Sequence, residues 1–586
     1  MKKGIAIVLS CTVIISILAG CSTKATEDNI QQATTAQEVT TVQTAEASTE
    51  LSEQPVEMGE DFKFIFDLEE NYVGEYIDEY NGDTYVFKTY QATYCDAPYT
   101  DEWENAADYF KLNIKIPVKI NDDEFDQAEL ANAPILFYNP WGGDQGRAVG
   151  EVDQLDNALV SEALANGWVI VLPGMRGNNC YSGTAGEDDY YNYGKLPGPL
   201  ADLKAAVRYL RYESNANTIP GDKEQIWVAG CSSGGCATSL LGASGNSHFF
   251  DEALEEIGAL PGRDDVFGVM PSCPVITREW GDPSIAWEFW GDLSDVEGAG
   301  KVNVALTSAY VDYLESLGIT AEFDVNDTIK AGDPLNADNY VDYLMVYLKE
   351  SALKYLNSLG GKEEIDKYLA EVKDGDPMYS TPDTSREWIR PVYDENNPDL
   401  VVDIEGTWED FLNYAFGEEL CDYTDTMALW YDKPMIAPEE ALEENGVGNA
   451  KGRDYISPSS SSFGKPNDYV VVYSPVGQEW IQKNGIEINS EYLELLKMQR
   501  NSVDPLYFIM GEGASDATVC EHWYIRSGAV DLVVTFPTFV NLATALENKG
   551  INVNAAFVWD EGHGLTSDRE PFFTFAEEAM ENADNN

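Results

Sequence analysis

The chain is 586 residues long and carries 103 acidic against 36 basic side chains, a formal net charge of −67. Such a surplus repels nucleic acid and anionic membrane surfaces, which excludes a nucleic-acid partner and fits a well-solvated surface protein. Nine cysteines and three histidines show no paired CxxC spacing, so neither a zinc site nor a dense disulfide framework is expected, and no metal or cofactor is called for.

Met1-Lys2-Lys3 precedes a short apolar run that ends Leu18-Ala19-Gly20-Cys21, a pattern that resembles a bacterial lipoprotein signal. The run is too short for a comfortable membrane span. Cleavage before Cys21 and lipidation of its thiol would leave the protein outside the cell, anchored to the outer face of the cytoplasmic membrane. Residues 22–58 are Thr, Ala, Gln, Glu and Ser with few large apolar side chains, so they read as a flexible tether. The remainder, about 530 residues, exceeds one simple core and implies two domains or one domain with a large insertion. With Cys11 in the signal and Cys21 lipidated, seven cysteines remain, an odd number that leaves at least one unpaired within the chain.

Residues 62–120 alternate β-branched or aromatic side chains with polar ones, as in 85–90 and 112–118, and predict antiparallel strands with one wet face. Residues 134–138 form a buried-type strand ending in Asn139-Pro140-Trp141-Gly142-Gly143-Asp144. Residues 155–166 predict a helix, 169–173 a strand, and 199–212 a helix with Leu200, Leu203, Ala206, Val207 and Leu210 on one face. Alternation of this kind predicts a mostly parallel sheet covered on both faces. The rhythm continues at 226–229, where Gly230-Cys231-Ser232-Ser233-Gly234 spells GxSxG between a strand and a small-residue helix.

That arrangement suits a nucleophilic serine. The turn must be tight enough to hold the Ser232 Oγ above the sheet edge, and Gly230 and Gly234 supply the room. The helix starting at Ser233 points backbone N–H groups at developing negative charge, and Gly142 and Gly143, in a loop after an early strand, are the expected second oxyanion donors.

After a strand near 267–270, residues 274–500 break the rhythm and are read as an inserted lid, helical over 302–317 and 341–359. Its Trp280, Trp287, Trp290, Trp408 and Trp430 are expected to form mostly its own core while overhanging the nucleophile. Asp324, Asn326 and Asp327 match no full calcium loop and read as solvated surface. The core, 59–273, resumes over 501–586, with a strand at 506–510 or 522–526, a helix at 536–548 and a strand at 553–559.

A serine nucleophile needs an imidazole, and this fold orders its residues Ser, Asp or Glu, His. His248 lies just past the nucleophile helix and His522 before a strand, which leaves His563, on a glycine-flanked loop after the last strand. Asp531 lies in the loop before the 536–548 helix and is the preferred acid, with Asp516 as the alternative.

The strings PGPLADLKAAVRYLR, GCSSGG, LLGASGNS, WYIRSGAVD and NLATALENKG resemble bacterial subtype B tannases and related esterases. The resemblance implies an α/β-hydrolase fold with a large inserted lid, cleavage of gallate-type esters, and an acid that ends an Arg-x-Gly-x-x-Asp string, here Arg526 to Asp531. It also implies lid residues that grip galloyl hydroxyls, for which Lys433 and Glu444 are loose matches. Two departures stand out. Gallate-binding members carry a second Asp two places after the acid, where this chain has Val533. Some fungal relatives join cysteines beside the Ser and the His; Cys231 is present, but Gly564 follows His563. The expected function is that of a lipid-anchored serine carboxylesterase acting on a small aromatic or plant-derived ester. The alternatives are a serine peptidase on the same scaffold and a non-catalytic ligand-binding lipoprotein.

Overall fold

The computed structural model describes residues 64–584 apart from 96, 98–102, 104, 153–157, 186, 217–218, 291–300, 374–383, 386–388, 417–460, 470, 484, 486 and 532. The signal, Cys21, the tether, Cys421, Trp430, Lys433 and Glu444 lie outside the described residues. Among the described residues no helix is long and apolar enough to cross a membrane.

The strands predicted over 62–120 form an antiparallel meander of β1 (Tyr72–Tyr80), β2 (Asp83–Thr93) and β3 (Lys111–Ile120), but the expected wet face is missing on β2, where Phe87 joins one core and Tyr90 the other. Six further strands extend it, beginning with β4 (Ile135–Tyr138), β5 (Val169–Pro173) and β6 (Ile226–Cys231). After these come β7 (Gly268–Ser272), β8 (His522–Gly528) and a last strand, β9 (Asn552–Val558). The ten-stranded sheet, which includes the short Asp123–Glu124 strand on β3, runs β1-β2-β3-β5-β4-β6-β7-β8-β9. From β5 onward every pairing is parallel. This is the α/β-hydrolase fold.

Successive strand side chains point to opposite faces, and the sequence loads both. Ile226 and Val228 join one core with Phe137, Val171 and Ile525. Trp227 and Ala229 join the other with Leu136, Ile170 and Tyr524. The first face is covered by α2 and α3 below and the second by the end helices: α1 (Ala158–Ala165) contributes Leu159 and Ala163, and the C-terminal helix, residues 570–584, contributes Phe572 and Phe573. On the first face, α2 (Gly198–Ala216) brings the predicted stripe Leu200, Leu203, Ala206, Val207 and Leu210, and α3 (Ser233–Ala243) follows β6.

Between β7 and β8 the described chain adds no strand to this sheet. It forms α4 (Gly281–Trp290), α5 (Lys301–Leu317), α6 (Tyr340–Ser358), α7 (Lys362–Ala370) and α8 (Trp408–Phe416). Its aromatics interlock with one another and with the sheet's helices. Trp280 stacks on Tyr313, Trp287 packs on Tyr310 and Tyr340, and Trp408 meets Phe536 edge-on. The returning segment is fastened by the buried Lys195, whose Nζ donates to the carbonyls of Ser461, Phe463 and Asp468 at 2.7, 2.8 and 2.6 Å. The loop at 324–333 caps its own backbone, Asn326 accepting from Thr328 and Ile329 and Asp324 from Ala331.

Of the two strand placements, 506–510 is a helix, α9 (Pro505–Ile509), and 522–528 is β8. Asp504 decides this locally: its carboxylate accepts from Leu506 N at 3.0 Å, and proline takes the first helical position, where no N–H partner is needed. The helix after β8 is α10 (Phe536–Glu547).

Trp227 is fully buried and edge-on to Phe267, Phe572 and Phe575, tying β6 to the C-terminal helix. Truncation should cost about 3–5 kcal/mol. A Trp227→Ala variant that melts with the wild type would contradict this packing.

Candidate active site

Ser232 sits between β6 and α3 with φ 63 and ψ −123, a region that non-glycine residues avoid. Its N–H donates to Ser272 O at 3.1 Å, and its carbonyl accepts from Val275 N at 3.2 Å and Cys236 N at 3.0 Å. The flanking glycines are needed for close approach. A Cβ at Gly230 would lie 2.5 Å from Asn139 Nδ2 and 2.6 Å from Gly234 O, and one at Gly234 would lie 2.8 Å from Trp141 O. Asn139 fills the space, its Nδ2 donating to Ala229 O, Gly234 O and Thr238 Oγ1.

Three sequence-predicted residues from distant positions meet here. His563 Nε2 is 2.8 Å from Ser232 Oγ, and His563 Nδ1 is 2.9 and 3.1 Å from the two carboxylate oxygens of Asp531. Asp531 is buried, and its Oδ1 also accepts from Val533 N at 2.7 Å and Val534 N at 3.1 Å. Asp516 is elsewhere, accepting from Ser247 Oγ and His248 N at 2.9 and 2.8 Å. His248 pairs with Asp251 on the surface, and His522 stacks near Trp227. Burial works against a charged His563 ring, but the charge and hydrogen bond of Asp531, with Cys273 adding to them, outweigh it and raise the imidazole above its ordinary 6.5.

As the first residue of α3, Ser233 has a backbone N–H with no intrahelical partner. Gly143 takes φ +56 and Asp144 φ 59 in the facing loop, where Gln145 N closes on Gly142 O at 3.0 Å. Sequence reasoning did not single out what fixes that loop. Asp144, 2% exposed in its side chain, pairs with Arg278, which is 0% exposed. Its carboxylate also accepts from Ser233 Oγ at 2.6 Å and Ser462 Oγ at 2.9 Å, while its N–H donates back to Ser233 Oγ at 3.1 Å. Arg278 in turn lies over the Trp141 ring, 5.0 Å from the centroid. The loop, the elbow and both stems of the insertion thus share one buried ion pair.

Cys273 was also missed. Each of the six described cysteines past the N-terminal region is a free thiol. Although Gly564 removes the cysteine that some relatives place after the histidine, a thiol reaches that spot from the end of β7: Cys273 Sγ donates to Gly564 O at 3.2 Å and accepts from Gly564 N at 3.5 Å. Its hydrogen bond with Cys231, its burial and the Asp531 charge hold the thiol well above the usual thiol range, so it stays protonated beside the serine. Cys273, Asp531 and His563 offer ligand atoms within 4.8 Å of one another, but the Nδ1–Asp531 hydrogen bond already uses two of them.

With this geometry in view, the chain compares as follows. A family model described as BD-FAE matches residues 189–265, the stretch that contains the elbow. The native structure of a tannin acyl hydrolase from Lactobacillus plantarum is similar at 22% identity and a TM-score of 0.61, over 88% of this chain and 98% of that one. A tannase from Fusobacterium nucleatum is similar at 23% identity and a TM-score of 0.62, over 89% of this chain and 100% of that one. A tannin acyl hydrolase in complex with ethyl gallate matches at 23% identity and a TM-score of 0.60, over 88% and 98% of the two chains. No curated protein matches the chain. The fold shared with these tannases is the one the sequence motifs implied.

Removing the Asp144 carboxylate leaves Arg278 charged, buried and unpaired, which should cost about 3–5 kcal/mol. Asp144→Ala is therefore expected to lower the thermal unfolding midpoint sharply, and an unchanged midpoint would argue against the buried pair.

Proposed function

We propose that this protein is a serine carboxylesterase that cleaves an aromatic or plant-derived ester through an acyl-enzyme. The observation that carries the reading is the continuous hydrogen-bonded line from Ser232 Oγ through His563 to Asp531. In this reading His563 Nε2 takes the Ser232 proton as the Oγ attacks the ester carbonyl, and Asp531 stabilises the imidazolium without itself being protonated. The N–H groups of Ser233 and of the Gly142–Gly143 loop receive the oxyanion. The imidazolium then protonates the departing alcohol, and water repeats the sequence to release the acid. Likeness of fold to tannases, one of them bound to ethyl gallate, supports an aromatic acyl group.

The lipobox-like Leu18-Ala19-Gly20-Cys21 and the polar tether support placement outside the cell, lipid-anchored at the outer face of the cytoplasmic membrane. Labelling cells with a fatty-acid analogue should mark the wild type and spare Cys21→Ala.

Ser232→Ala should lose on the order of 10⁶ in turnover with folding intact, and Asp531→Asn about 10⁴. A fluorophosphonate probe should label the wild type at Ser232; a protein that ignores the probe would be a binding module instead. The base must be neutral to act, so activity is lost as pH falls through the His563 pKa. Because that pKa is raised above 6.5, the acid limb of the kcat/KM profile should have its midpoint above 6.5 and move down in Asp531→Asn.

Val533 contributes its N–H to the acid and an aliphatic side chain to the surroundings, where gallate-binding relatives place a carboxylate. One lost acceptor is worth roughly 1–3 kcal/mol in discrimination. Methyl gallate should accordingly lead methyl benzoate and methyl ferulate in kcat/KM by no more than about a hundredfold; a larger lead would mean the acceptor comes from another residue.

A further inference from the structure

His563 stands on the loop that follows β9, and that loop is held from two directions. On the core side, Val530 N donates to Glu561 O at 3.0 Å and Ala529 N to Val558 O at 2.9 Å, which ties the loop to the turn bearing Asp531. On the other side is Asp560, three residues before the histidine, in the left-handed conformation with φ 60. Its carboxylate receives the hydroxyls of Tyr368 from α7 and Tyr414 from α8. Both tyrosines belong to the insertion between β7 and β8. Trp559 completes the joint: its Nε1 donates to Tyr368 Oη at 2.9 Å, and the Tyr414 ring stacks on its indole at 5.0 Å with an interplanar angle of 3°.

We infer that Asp560 is a positioning residue, through which Tyr368 and Tyr414 of the insertion set the placement of the His563 ring between Ser232 and Asp531. This rests on the esterase reading above, since it assigns a task to the base. The physical case is one of geometry. Asp560 starts the turn that carries His563, in a left-handed conformation open to Asp and Asn, and the partners of its carboxylate fix where that turn lies. Two hydroxyl donors on one carboxylate, both partly or fully buried, supply that fixing from the domain expected to lie over the substrate. Burial, followed by the Asp560 charge, keeps the Tyr414 hydroxyl protonated and therefore a donor. Movement of α7 and α8 away from the sheet would release the turn and misalign the base, so productive proton transfer requires the insertion in place.

The test keeps the rings and removes the hydroxyls. In the full-length protein, the Tyr368→Phe, Tyr414→Phe double variant preserves the stack on Trp559 and leaves Asp560 without these two donors. Asp560→Asn retains a residue that tolerates the left-handed turn. Expected for both is a fall of about tenfold or more in kcat and in the rate of fluorophosphonate labelling at Ser232, the loss that small misplacements of a catalytic group produce. KM should stay within about twofold and the unfolding midpoint should fall only by what the lost hydrogen bonds of Trp559 and Asp560 account for, because the aromatic packing is retained. Labelling at the wild-type rate in the double variant overturns the inference, as does a joint collapse of kcat, KM and midpoint, which marks a structural role only. If the double variant fails to fold, Tyr414→Phe alone is judged by the same criteria.

A readout that does not need turnover separates this inference from the esterase proposal. With only three histidines in the chain, the far-downfield Nδ1 proton of His563, held by Asp531, can be followed in ¹⁵N-histidine-labelled protein. It should weaken or shift in the variants. An unchanged resonance refutes the positioning role even if the wild type hydrolyses nothing.

Discussion

Ser232 can occupy its strained backbone conformation because the segment leaving β7 grips it on both sides, Ser272 O taking its N–H and Val275 N reaching its carbonyl. Much of the rest follows from that grip. The same segment runs through Cys273, which touches the histidine loop, and on to Arg278, which pairs with Asp144 in the loop after β4. A few residues beyond the strand therefore connect Ser232, the His563 loop and the Gly142–Asp144 loop, and they are also the stem from which the insertion departs. The strain at Ser232 is offset by contacts whose other ends are fixed in a sheet with two filled faces.

The order of elements was legible in the sequence because each signal there is local. Strands loaded on both faces read as continuous apolar runs, α2 shows its stripe, and the elbow spells itself in five residues. That Ser232 would meet His563 was also legible, since chain order and the scarcity of histidine leave few choices, whereas the carboxylate stayed open between Asp531 and Asp516 until the fold put Asp531 beside the ring. Helix α9 was less clear because Leu506 to Met510 is apolar enough for a strand; only the Asp504-Pro505 start, a capping carboxylate followed by proline, tells otherwise. What stayed hidden was pairwise. Asp144 and Arg278 are 134 residues apart, and Tyr368 and Tyr414 reach Asp560 over 192 and 146 residues. No periodicity announces such partners, because each residue on its own looks like ordinary solvated charge or core aromatic. Cys273 shows the same limit: spacing could say that no cysteine follows His563, but not that a strand would deliver one there.

The insertion is held to the core by polar bonds at its two ends and, between them, by aromatic packing together with the tyrosine hydroxyls on Asp560. Lys195 holds the returning stem through three carbonyls, Ser462 joins Asp144, and Trp408 lies on Phe536 at the start of α10. The turn at Ser232 is held by sheet termini and stems, whereas the His563 turn is also held from between the stems, by Tyr368 and Tyr414.

At the opposite edge of the sheet, β1 has no strand partner on one side among the described residues, and Tyr72, Val73, Tyr76 and Ile77 are all exposed on it. An edge of that composition is a template for a second copy. The strand also carries Glu75, Asp78 and Glu79, all exposed, on a chain of net charge −67. The acidity that first appears as a bulk property of the sequence thus acts locally as a guard against self-association. Salt screens charges over about 8 Å at physiological strength, so this guard weakens in concentrated electrolyte, and the solution in which the protein is most prone to assemble edge to edge is a salty one.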